Sequence, residues 1–172
     1  KKQSSELNVR VPLNCLKSVE QKNCKNYLNI LDFPLEFKNC FKVPKSAASK
    51  YVKTCLNFAH VLSQKKKIPG FINCPIDKKL IKQKGIFGVT ELIARKSNKI
   101  NSEVMVLYNK RLSVVPITTH IKIKEISKKL NSKLIIKKTE TVFKHYYKIF
   151  RRKPKIAILG LNPHNDELDK NS

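Results

Sequence analysis

Two of the four histidines stand where chemistry is commonly found. Ile156-Ala-Ile-Leu-Gly-Leu-Asn-Pro-His164 is a short apolar run, then a Gly/Asn/Pro break, then an imidazole at the break. Leu112-Ser-Val-Val-Pro-Ile-Thr-Thr-His120 has the same design. An apolar run of strand length, bounded by Gly160 and Pro163, predicts a buried strand of an α/β sheet. Ligands of open α/β sheets bind outside the carboxyl ends of such strands, which places His120 and His164 for a functional role. On the residues alone, a capping or hydrogen-bonded histidine at a strand end is the favoured reading of both.

The elements that must position these side chains follow in order. Residues 1–45 are irregular, with one or two short extended pieces and a stop at Val43-Pro44. Ser46 is a suitable N-cap for a helix from Ala47 to about Gln64, where Ala48, Val52, Cys55, Leu56, Ala59 and Leu62 form one apolar stripe. His60 lies beside that stripe and reads as a helix-surface or boundary residue. Gly70 to Pro75 predicts a strand ending in a turn, with Asp77 as N-cap of a short helix through about Gln83. Gly85 to Gly88 is a loop, and Thr90 caps a helix over residues 91–96. Glu103–Tyr108 and Leu112–Thr118 suit a hairpin about Asn109-Lys110. A short helix over 124–130 and a longer one over 133–150 precede a last strand, 155–161, with His145 on the surface of the longer helix. Alternating helices and strands predict an α/β fold with some antiparallel pairing.

Composition narrows the classes. The 172 residues suffice for a real core, and 41% apolar residues fit a globular protein. No run approaches the length of a membrane span, and the first residues lack the apolar core of a signal peptide. The five cysteines include no Cys-x-x-Cys pair, so neither a zinc ribbon nor a thioredoxin-like motif is supported; reduced thiols in a cytoplasmic protein are expected. The net charge of +25 raises a nucleic-acid-binding module as the competing class. Yet the excess is nearly all Lys, spread along the chain, with neither interleaved aromatics nor clustered Arg forks. A solvated Lys-rich surface is expected, with neither nucleic acid nor membrane as a partner. No glycine-rich nucleotide loop is present.

Four motifs in order, Cys74-Pro-Ile-Asp-Lys78, Gly88-Val-Thr-Glu91, Thr118-Thr-His120 and Leu161-Asn-Pro-His164, resemble those of the 4-hydroxythreonine-4-phosphate dehydrogenase family of pyridoxal phosphate (vitamin B6) biosynthesis. That family carries Gly-Pro-Val-x-Lys, Gly-His-Thr-Glu, Ala-Thr-Thr-His and Gly-Leu-Asn-Pro-His at similar spacing. The resemblance runs from about residue 68 to 164, and more loosely back to the helix at 47–64.

It implies a three-layer α/β/α subunit akin to isopropylmalate dehydrogenase, present here as an internal, incomplete piece. Residues 1–66 would form part of a first domain with its crossover helix, and 67–172 most of the central α/β domain. The implied activity is NAD-dependent oxidation of 4-phosphohydroxy-L-threonine to 2-amino-3-oxo-4-phosphooxybutanoate. Decarboxylation to 3-amino-2-oxopropyl phosphate follows. It further implies a homodimer whose active site is shared between subunits. A divalent metal (zinc, or magnesium, cobalt or manganese) is held by His120, His164 and a third histidine beyond this chain, and Thr90, Lys78 and Asp77 bind the phosphorylated substrate. A metal on imidazoles suits this chemistry because it polarises the alcohol oxygen as a Lewis acid. Lys78 supplies a point charge for the phosphate or carboxylate. Val89 replaces the family's substrate-contacting histidine, and Cys74 replaces a glycine. A paralogue acting on another phosphorylated hydroxy acid, or an inactive copy, is the alternative. This piece alone is expected to be inactive.

Overall fold

The computed structural model describes residues 2–161, except 84 and 101. Helix α1 (Lys2–Glu6) precedes strands β1 (Leu13–Leu16) and β2 (Leu28–Leu31). Helices α2 (Lys45–Gln64), α3 (Val89–Lys96), α4 (Ile126–Lys129) and α5 (Ser132–Phe150) follow, with single 3₁₀ turns at Lys78–Leu80 and Ile123–Glu125. The chain divides into two compact units, Lys1–Ile100 and Asn101–Ser172, so residues 66 and 67 both lie in the first. Helix and strand are mixed, and the described sheet is parallel, in keeping with an α/β fold.

In the first unit β1 and β2 pair in parallel, with Leu13 opposite Leu28 and Leu16 opposite Leu31. Parallel neighbours commonly need a helical crossover. Here Asn29 holds a short connection instead. Its Oδ1 accepts from the Cys24 N–H (2.8 Å) and from Asn14 Nδ2 (2.7 Å), while its Nδ2 donates to the Cys24 and Tyr27 carbonyls (3.0 and 3.1 Å).

Helix α2 forms because its apolar residues recur at helical spacing, and it is long enough to bury one stripe. Leu56 packs with Ile81, Ile86 and Leu92 into the buried cluster of this unit, with Val52, Phe71, Ile76 and Val89 packed against it. The N-cap is Pro44, whose carbonyl accepts from the Ala48 N–H at 2.9 Å; Ser46, expected as the cap, lies inside the first turn.

Two expected strands are absent. Residues 70–75 and 155–161 have no regular structure; Ile72 is 100% exposed and Leu159 87%. An extended apolar run becomes a strand only when a neighbour takes its backbone hydrogen bonds, and among the described residues neither segment has one. The expected hairpin is reduced to a single antiparallel bridge between Leu107 and Val114, closed by hydrogen bonds of 2.9 and 3.0 Å.

The second unit is built on α5. Asn131 caps it, accepting from the Leu134 N–H at 2.9 Å, and Arg151 ends it in the left-handed region at φ 55°. Phe150 stacks on Tyr108 at 5.1 Å and touches Tyr146 at 4.5 Å, joining the helix to the bridged segment. No described residue of this unit is fully buried.

Candidate functional site

Two short elements of the first unit present the expected substrate-binding side chains. The 3₁₀ turn Lys78–Leu80 starts where Asp77 Oδ1 accepts from the Lys79 N–H at 2.9 Å. The capping role expected of Asp77 is therefore present, and it ties up one carboxylate oxygen. Lys78 is exposed, so its ammonium is available to an anion. The turn is seated by Ile76 and Ile81 in the core and by Ser49 Oγ of α2, which donates to the Leu80 carbonyl at 2.6 Å.

Helix α3 carries Thr90. Its N-cap is Gly88, in extended backbone, so Thr90 lies in the first turn rather than at the cap where it was expected. The Thr90 side chain is exposed; Val89 beside it packs against the core cluster. Adjacent residues of a helix point about 100° apart around its axis, so one can be exposed while the next packs inward. Glu91 adds a carboxylate to the first turn, near enough to Gly88 that a Cβ there would meet Oε2 at 3.3 Å. A helix N-terminus favours an anion, and at α3 a carboxylate is already near that end.

The far end of α3 is fastened to α2. His60 Nε2 and Ser97 Oγ lie 2.9 Å apart, and Lys96 Nζ donates to Asn57 Oδ1 at 2.8 Å. His60 is 7% exposed, which corrects its placement at a helix surface or boundary. Its spacing from Val52 and Leu56, four and eight residues along one helix, was the available signal.

In the second unit His120 ends the run from Leu112, exposed and in the left-handed region at φ 56°. Few residues other than glycine adopt that conformation, histidine more readily than most. The chain thus breaks sharply at this imidazole, as the motif suggested. His164 lies outside the described residues. Among the described residues no three His, Cys, Asp or Glu side chains come together as a metal site. None of the five cysteines forms a disulfide, Cys74 is exposed, and no described helix is long and apolar enough to cross a membrane.

The family model for the pyridoxal phosphate biosynthetic protein PdxA matches residues 2–169. The chain belongs to the PdxA family. It is 35% identical over 140 residues to the 4-hydroxythreonine-4-phosphate dehydrogenase of Sulfurihydrogenibium sp. (strain YO3AOP1), covering 80% of this chain and 42% of that protein. The enzyme of the same name from Wigglesworthia glossinidia brevipalpis is 38% identical over 122 residues, 69% of this chain and 36% of that one. The D-threonate 4-phosphate dehydrogenase of Pectobacterium atrosepticum is 28% identical over 144 residues, covering 81% and 44%. The chain therefore spans less than half the length of these PdxA-type relatives. No solved structure matches it.

Proposed function

We propose that this chain is part of a dehydrogenase that oxidises 4-phosphohydroxy-L-threonine with NAD in pyridoxal phosphate biosynthesis. The observation that carries the reading is the family match across residues 2–169, together with Lys78, Thr90, His120 and His164 at their motif positions. The reaction moves a hydride from the substrate carbon to the nicotinamide and releases the hydroxyl proton. The 3-oxo acid product then loses carbon dioxide to give 3-amino-2-oxopropyl phosphate.

Each side chain has a task in that reaction. The Lys78 ammonium neutralises the substrate phosphate or carboxylate, and the Thr90 hydroxyl orients the substrate by hydrogen bonding. Asp77 holds the 3₁₀ turn and leaves its second oxygen for the substrate. His120 and His164 would hold the divalent metal, zinc or one of magnesium, cobalt and manganese, with a third histidine from the rest of the protein. Neutral imidazole is a fitting donor, and a bound metal supplies Lewis-acid polarisation of the alcohol oxygen.

The reading extends to a three-layer α/β/α subunit, with residues 1–66 in a terminal domain and 67–172 in the central one. The working form is a homodimer with a shared active site. Five cysteines without a disulfide suit a reducing cytoplasm.

Val89 favours one second reading. The position packs against the core here and its side chain offers no hydrogen bond, so on this reading the protein is a paralogue acting on another phosphorylated hydroxy acid, or an inactive copy. The deciding assay supplies the complete gene product with NAD and either 4-phosphohydroxy-L-threonine or D-threonate 4-phosphate. Faster NADH formation from the first supports the main reading, and turnover of only the second establishes the alternative.

A further inference from the structure

Helix α2 carries polar side chains that grip both substrate-binding elements of the first unit. Ser49 holds the 3₁₀ turn bearing Lys78, while Asn57 and His60 hold the last turn of α3 and the residue after it. Of these links the His60–Ser97 pair is the most committed. A buried imidazole is tolerated only when hydrogen-bonded, and His60 meets Ser97 Oγ at 2.9 Å. Asn57 and Lys96 are exposed, and their link is open to water.

Helix α3 has 8 residues, too few to be stable alone, so what holds its ends decides where it stands. Val89 and Leu92 fix its roll against the core. Ser97 fixes its far end. With both constraints in place, the exposed face of α3 that carries Thr90 is set in position.

We propose that His60 and Ser97 form a positioning pair for substrate binding, setting α3 so that Thr90 is presented correctly. Neither residue touches substrate; both act through the helix. The inference rests on Thr90 being a substrate contact.

The test uses the complete gene product with His60→Ala, His60→Gln, Ser97→Ala and Thr90→Ala, and the His60→Ala/Thr90→Ala double variant. Steady-state kinetics with 4-phosphohydroxy-L-threonine and NAD is paired with amide hydrogen exchange over residues 89–97. His60→Ala and Ser97→Ala should each raise KM about tenfold, the scale of one lost hydrogen bond, with kcat nearly unchanged and exchange at Leu92 and Ser97 accelerated. His60→Gln, whose amide can still donate to Ser97, should restore both. In the Thr90→Ala background the KM effect of His60→Ala should vanish, because the two residues act in series.

A folded Ser97→Ala protein with wild-type KM and exchange overturns the proposal. So does a KM effect of His60→Ala that survives in the Thr90→Ala background. If the wild type is inert toward the compound, the substrate reading falls by itself. Exchange then still decides whether the pair holds α3, and unchanged exchange overturns that too.

Discussion

The Ser49 hydroxyl donates to the Leu80 carbonyl at 2.6 Å, joining the first turns of α2 to the 3₁₀ turn 31 residues later that begins with Lys78. The bond is part-buried, so its loss is only partly made good by water. Ser49→Ala should lower the unfolding free energy by about 1 kcal/mol. Urea denaturation reads this as a fall in midpoint with the slope unchanged. An unchanged midpoint would mean that Ser49 contributes nothing to seating the turn.

Val89 packs against the cluster of Leu56, Ile81, Ile86 and Leu92. Introducing the family's histidine here therefore places an imidazole against apolar side chains rather than simply returning a substrate contact. Val89→His should cost roughly 1–3 kcal/mol in stability, the usual range for a buried polar group without a matched partner. Thermal unfolding measures it. A variant as stable as wild type, with improved KM, would show that position 89 can reach the substrate.

Burial, with the neighbouring Cys55 thiol and Asp32 adding to it, pushes the Tyr51 phenol above its ordinary range. A raised pKa in the folded state means that the folded chain keeps its proton after the unfolded chain has lost it. This stability is complete below the unfolded phenol's pKa of about 10 and declines as pH rises through the folded value. Tyr51→Phe should flatten the decline, read as the difference between the two proteins' stability profiles from pH 8 to 11. Parallel profiles would sink the idea.

The parts legible in the sequence are those whose signal is local. Helices α2 and α5 emerge from apolar spacing over several turns, and Asp77 caps its turn as its side chain suggests. The strand expectations at 70–75 and 155–161 fail because pairing is a property of two segments, and neither run finds a partner among the described residues. Ser46 and Thr90 look like caps by residue type, but the backbone turns into the helix earlier, at Pro44 and Gly88. The burial of His60 is signalled locally by its spacing from Val52 and Leu56, but its partner, Ser97, is 37 residues away and no local pattern points to that pairing. Of the residues singled out, Lys78, Thr90 and His120 are exposed, while His164 lies outside the described residues.

The proposed role of His120 and His164 as metal ligands of a dehydrogenase is open to direct test. The most direct measurement follows NADH formation from 4-phosphohydroxy-L-threonine by the complete gene product, stripped of metal and then resupplied with zinc, magnesium, manganese or cobalt. Wild type, His120→Ala and His164→Ala are compared. Turnover should disappear with the metal, return when it is restored, and fall by at least about a hundredfold in either variant, since each would remove a ligand of the Lewis acid. Turnover that persists in both variants, or that ignores metal altogether, would contradict that role.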